Sequence, residues 1–156
     1  GKWSTAQVLE HLNIYARYYI TAIEQQLHGH NTTPQKTFTP GWLGNYFTRI
    51  MQPPTNNSGF KKMRSPKNAV PSIQPDGKQM LSEFLQHQHH LLNILNIAAQ
   101  ANLGRLRIPT SLSKFVTLKL GDTFRFFIAH EQRHWVQIEN NLAVWKQQQP
   151  AVALPA

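Results

Sequence analysis

His130 and His134 stand four residues apart in a stretch with helical periodicity, which puts both imidazoles on one helix face with Cβ atoms about 6 Å apart. Two neutral imidazoles at that spacing can ligate one divalent ion through nitrogens at about 2.0–2.1 Å. Phe127 and Ile138 lie on the same stripe, so the pair is expected to look into the protein interior. Buried ring nitrogens need partners, and a metal ion meets that need directly. Tyrosine, glutamine or water would meet it without a metal. The segment His130-Glu131-Gln132-Arg133-His134 also spells the zinc-protease pattern, in which the glutamate is the general base. That chemistry wants a third ligand downstream. No histidine follows His134, and Glu139 on the same helix is the only acidic residue there.

The third ligand is therefore expected upstream, and His11 is the best candidate. It lies between Val8 and Tyr15 on an apolar seam, seven residues past Ser4, while His130 is eight past Asp122. In parallel helices those depths would coincide. Three histidines leave at least one coordination position for water or substrate, which is the mark of a catalytic site. His87, His89 and His90 form a second group, but the seam through Gln88, Leu91 and Leu95 leaves them flanking, as a solvated face. His28 and His30 fall at a helix end and need no further role. Glu131 is the candidate catalytic base. It sits about 100° around the helix from His130, so a surface ion pair is the alternative. Gln137, one turn below His134, could orient a ligand or simply face a neighbouring helix. Tyr15 could donate to a substrate or fill the core.

Four helical segments carry these residues, and nothing reads as a strand. The first opens on a Ser4–Gln7 capping box and runs to about His28. Thr39 and Pro40 suit the start of a short second helix, with a stripe from Trp42 to Met51 ended by Pro53-Pro54. Asp76 with Gln79 begins the third. Its seam is Leu81, Phe84, Gln88, Leu91, Leu95 and Ala98, beside Met80, Leu85 and Leu92, with Gly104 as a left-handed terminator. The fourth runs from Gly121 or Asp122 to about Gln147, with Phe124, Phe127, Ile128, His134, Ile138, Leu142 and Trp145 inward. The tail from Pro150 is expected to lie over the surface. The expected fold class is all-α, a four-helix bundle. The connection over residues 52–76 is long enough to span a helix pair, which favours an up-down-down-up order with helices 1 and 4 parallel; up-down-up-down is the alternative.

The 156 residues suit one domain, and 40% apolar against 15% charged residues suits a globular core. There is no cysteine, which excludes disulfides, thiolate metal sites and cysteine nucleophiles. No apolar run is long enough for a membrane span and no signal-peptide pattern opens the chain, so a cytoplasmic protein without membrane contact is expected. Sixteen Lys and Arg against seven Asp and Glu give +9, which favours anionic partners. Nucleic acid is the less favoured one, because no helix-turn-helix, zinc finger or aromatic sheet is present. The basic stretches Lys61–Lys67 and Arg105–Lys119 would instead form an electropositive mouth for a carboxylate-bearing small molecule.

Trp3-Ser4 and Gln7-Val8-Leu9-Glu10-His11-Leu12, followed by Leu120-Gly121-Asp122 and His130-Glu131-Gln132-Arg133-His134-Trp135-Val136-Gln137-Ile138, together resemble the DinB-like superfamily. The resemblance covers nearly the whole chain, 1–156, as one four-helix-bundle domain. It implies a divalent metal, nickel or zinc, on His11, His130 and His134, and frequent homodimers. Its activities include thiol-dependent transferases and isomerases that use low-molecular-weight thiols, and metal-dependent hydrolases. The expected function is thus a metal-dependent enzyme that activates water, as a hydrolase, or a small thiol, as a transferase. A non-catalytic basic bundle that binds nucleic acid or a protein partner is the alternative.

Overall fold

The computed structural model describes residues 2–53 and 63–148. The order of elements is α1 (Thr5–Leu27), α2 (Trp42–Met51), a single 3-10 turn (Lys67–Ala69), α3 (Gly77–Ala98), β1 (Arg107–Thr110), β2 (Ser113–Lys119) and α4 (Leu120–Gln148). The protein is mostly helical, with four α-helices and one small two-stranded sheet among the described residues. None of these helices is long and apolar enough to cross a membrane.

Capping chemistry sets two of the helix starts as the sequence requires. Ser4 Oγ accepts from the Gln7 amide while Gln7 Oε1 accepts from the Ser4 amide, so two orphan donors of α1 are satisfied reciprocally. Asp76 accepts from the amides of Lys78 and Gln79 at the start of α3. Helix α2 departs from expectation. Gly41, not Thr39, is its N-cap, and no side chain caps it locally. The Gly41 amide donates instead to Asp122 Oδ2 of α4 at 2.8 Å, a tertiary partner that local spacing does not reveal. Helix α3 also stops at Ala98, earlier than the Gly104 signal. Gly29, just past α1, is the only described glycine with positive φ.

The segment expected to be irregular contains an antiparallel hairpin, which corrects the all-α expectation. Arg107 pairs with Lys119, Ile108 with Leu118 and Pro109 with Thr117. Ile108 and Leu118 point from one face into the core while their neighbours face out. Pro109 and the basic residues hide this alternation, since only one buried apolar side chain per strand, Ile108 and Leu118, anchors the ladder to the bundle interior. Leu120 and Gly121 donate to the carbonyls of Leu106 and Leu103, which ties the hairpin to the first turn of α4.

Helix directions follow from the order of contacts. Asn13, Arg17 and Glu24 of α1 meet Met80, Glu83 and His90 of α3 in ascending order, so these two run the same way. Gly41 and Asn45 meet Asp122 and Arg125, so α2 and α4 also run together. Trp3 meets Asn141, and Tyr19 meets Phe126 and Phe127, so α1 and α4 are antiparallel. Directions therefore alternate along the chain, and the expected up-down-down-up order with helices 1 and 4 parallel is not what forms. The reason lies in the short α2. Its ten residues cover only half of a bundle side. The described part of the connection continues onward instead of doubling back, so that Ser72 and Ile73 accept from Gln7 and Gly77 lies beside Ala6.

Two apolar clusters fill the interior. One gathers Tyr19, Ile23, Ile94, Ile108, Leu120 and Phe127 with their neighbours. The other holds Val8, Leu9, Met80 and Ile138 under Trp3 and Phe84. On α3 the buried positions are Met80, Leu91, Ile94 and Ala98, whereas Leu81, Leu85 and Leu92, assigned to the seam or its edge, stand about half exposed. Ile128, Leu142 and Trp145 of α4 are likewise outside the core. The Asn56–Gly59 turn residues, Lys61, Lys62 and the tail from Pro150 lie outside the described residues.

Candidate metal centre

Between the two apolar clusters the sequence places histidine on both central helices. His11 follows Val8 and Leu9 on α1, and His130 and His134 sit between Phe127 and Ile138 on α4. All three are buried, at 3%, 3% and 9% exposure. One ligand nitrogen from each falls within 4.8 Å of the others. The structure thus brings together the trio expected from spacing, although by a different register. His11 reaches its partners because α1 lies antiparallel on α4, so the matching depths counted from the two helix starts were coincidental.

Hydrogen bonds set the tautomers. A carbonyl can only accept, so His11 Nδ1 carries a proton and donates to Ala69 O at 2.6 Å. His134 Nδ1 donates to Gln137 Oε1 at 3.0 Å. Both rings therefore hold out an Nε2 lone pair, the arrangement that orients a metal-ligating histidine. His11 Nε2 and His130 Nε2 stand 3.3 Å apart. Two nitrogens bound to one ion at about 2.0–2.1 Å lie roughly 3.0–3.4 Å from each other, so the pair already has a suitable separation. His130 Nδ1 is buried with no hydrogen-bond partner among the described residues. Without an ion, the three rings compete for too few partners. The donor set fits a divalent cation.

Electrostatics point the same way. Burial lowers the pKa of His11, against a weaker opposing effect of its bond to Ala69. Burial first, then His134, His11 and Arg133, hold His130 well below the ordinary imidazole value. Burial brings His134 down to about 4. All three are neutral near pH 7, with lone pairs available. Aromatic rings close the site. Trp3 packs on His11 at 4.9 Å and Tyr15 on His130 at 4.5 Å between centroids, and Phe126 stacks on His130. Burial, helped by Tyr19, pushes the Tyr15 phenol up to about 12, so it stays a protonated donor.

The histidines open onto a groove that also exposes Tyr15, Ser111 and Gln137. Its described lining includes Lys2, Arg64 and Arg133 and no carboxylate. Of the two basic stretches expected at the mouth, Arg64 is present. The charged residues of Arg105–Lys119 do not line the groove; Thr110, Ser111, Leu112 and Leu118 do. Glu131 is turned away, to α3, where Gln88 Nε2 donates to its Oε1 at 2.7 Å, and burial raises its pKa. It is not among the groove-lining residues. The α3 histidines do not form a cluster. His87 meets Glu83, His90 meets Glu24 of α1, and His89 donates to Leu85 O.

A family model for the DinB superfamily matches residues 1–138, a span that includes all three histidines. The chain belongs to the DinB superfamily. No curated protein and no solved structure matches it. Within this DinB-superfamily chain, the partner that residue types could not reveal is Ala69. It acts through its backbone carbonyl, which every residue has. Gln137 was legible as a possible orienting group one turn from His134, and the structure places it there. Trp3 entered only as part of the family resemblance; its place over the rings depends on the α1–α4 register.

Proposed function

We propose that this DinB-superfamily protein is a metal-dependent enzyme whose His11, His130 and His134 hold one divalent ion, nickel or zinc, and whose groove takes a small anionic substrate. The observation that carries the reading is the convergence of three buried, neutral imidazoles. Two of them have their outer nitrogens committed to Ala69 O and Gln137 Oε1. An ion bound there supplies Lewis acidity, which makes a water or a small thiol acidic enough to serve as a nucleophile near neutral pH.

The chain's own residues do the rest. Ala69 and Gln137 hold the ligand rings in one tautomer and orientation, so that no reorganisation is needed when an ion binds. Trp3, Tyr15 and Phe126 exclude water from the imidazole layer and strengthen electrostatic interactions there. Tyr15 offers a phenolic proton toward a substrate atom in the groove. Three neutral ligands leave a divalent charge uncompensated, and the lining adds Lys2, Arg64 and Arg133, so an anion is the favoured guest. Glu131 faces α3, where Gln88 donates to it, so we assign it no place as the base.

Elemental analysis of the purified protein tests the reading, followed by parallel screens for thiol conjugation and for ester or amide hydrolysis. About one ion per chain is expected, with loss of both the ion and the activity in His130→Ala. Activity that survives stripping and the His130→Ala change would overturn it.

A further inference from the structure

The groove over the histidines has two unlike ends. Tyr19 packs on Phe126 at one end and Trp3 meets Asn141 at the other, with the three histidines between them. Toward Trp3 the lining carries Lys2, Asn140 and Asn141 beside Leu142 and Trp145. Toward Tyr19 it is formed by Phe47, Leu112, Leu118 and Phe126, and Ile50 and Met51 continue the α2 wall toward the histidines. Phe126 joins this second arm to the candidate ligands. Its ring stacks on His130 at 6.0 Å between centroids and meets Phe47 at 6.1 Å. Leu118 and Phe126 are core residues, so the apolar interior floors the arm.

The polar atoms at this end are already used among themselves. Tyr19 Oη accepts from the Ser111 amide at 3.2 Å and pairs with Ser111 Oγ at 3.4 Å. Thr110 Oγ1 donates to Ser113 O and accepts from the Ser113 amide. What the arm offers a guest is therefore mostly hydrocarbon. Leu112 makes the point most directly. It stands with Ser111 in the hairpin turn between the paired Thr110 and Ser113, where Gly, Asn or Asp would serve the backbone better. It is 61% exposed, so it does not stabilise the core, yet it lines the groove. An exposed leucine held there by the Ser111–Tyr19 bonds is explained by an apolar guest.

We infer that this arm sets the specificity of the groove, by taking the hydrocarbon tail, aliphatic or aryl, of a small acid whose anionic end lies toward the histidines. Charge fixes the direction. The described lining has Arg64 and Lys2 and no carboxylate. Arg64 adjoins Ser65, whose hydroxyl donates to the same Ala69 carbonyl that holds His11. The anionic end thus finds positive charge at the histidine layer, and the tail finds Phe126, Phe47 and Leu112 beyond it. Ile50 and Leu112 are the specificity-determining residues. The inference deepens the proposed reading of this groove and rests on it for the anionic end alone.

A series of linear acids tests it, with acetate, butyrate, hexanoate and octanoate titrated into the full chain, once with zinc and once in a chelator, and binding read by ligand-observed NMR. Affinity should rise about two- to fourfold per added methylene, as burial of each CH₂ requires. Leu112→Ser combined with Ile50→Ser should weaken octanoate by about tenfold and leave acetate unchanged. Phe115→Ser, on the same hairpin but 99% exposed and outside the groove, should leave the whole series unchanged. The wild-type series does not depend on any variant folding. A series that is flat in both conditions would overturn the inference, as would a gain untouched by the double change or one abolished by Phe115→Ser. The two readings fail separately: zinc and acetate binding with a flat series removes the arm alone, whereas a rising series without zinc uptake removes the metal alone.

Discussion

The burial of neutral imidazoles in the core makes the metal-free protein sensitive to acid in a defined window. His134 has an ordinary pKa of 6.5 in the unfolded chain and about 4 in the folded one. Its folded pKa is depressed, so the unfolded state takes up the proton first, and stability falls as pH drops below 6.5. At about 1.4 kcal/mol per pKa unit, the whole shift corresponds to about 3 kcal/mol, of which about 2 kcal/mol is already lost by pH 5. The slope flattens near pH 4, where the folded state also protonates. His11 and His130 are shifted in the same direction by the same cause and steepen the loss. Glu83 acts separately. Arg17 depresses its carboxyl, so its share is lost only below its ordinary value of 4.5. The assay is urea unfolding in a chelator between about pH 7 and pH 5, compared with His134→Gln, which cannot titrate. The wild type should lose about 2 kcal/mol more than the variant over that range. Parallel pH profiles would refute the reasoning, because His134 would then not be held neutral in the interior. Adding zinc or nickel at about 100 times the dissociation constant should restore about 2.7 kcal/mol at pH 7, with the gain shrinking as protons compete for the same lone pairs.

Three further outcomes follow from named contacts. His130→Ala and His134→Ala should each abolish uptake of an added divalent ion, and His11→Ala should weaken it strongly, as read by calorimetry; uptake that depends instead on His87 or His90 would place the site on α3. Gln137→Leu removes the acceptor of the His134 Nδ1 proton and should weaken metal affinity by about 10–100-fold with the fold intact; an unchanged affinity would show that this hydrogen bond does not orient the ring. Gly44→Ala puts a Cβ into the Asp122 side chain where α2 presses on α4, and should cost about 1–3 kcal/mol in urea unfolding, whereas a neutral effect would mean the two helices can separate without loss.

The four helices were readable because their signals are local. The Ser4–Gln7 box and Asp76 satisfy amides within three residues of themselves, so composition at short spacing suffices. The hairpin was hidden because Ile108 and Leu118 are its only buried apolar side chains, and what makes them a pair is the cross-strand register. The apolar excess on α3 and α4 misled in an informative way. Leu81, Leu85, Leu92, Ile128 and Leu142 fit a helical stripe, but each helix buries only the stripe its neighbours cover, and hydrophobicity cannot say which one.

By itself the sequence determined that His130 and His134 share a face, that His11 lies on an apolar seam, and that neither cysteine nor a further downstream histidine could complete a site. Those are consequences of residue type and of the 3.6-residue turn, which act over one or two turns. Tertiary structure decided that α1 runs against α4, that the Ala69 carbonyl and not a side chain fixes the His11 tautomer, and that Glu131 turns to Gln88 instead of the groove. These depend on how far the short α2 and its long connection reach before α3 begins, and thus on distances between segments remote in the chain, to which local periodicity is blind.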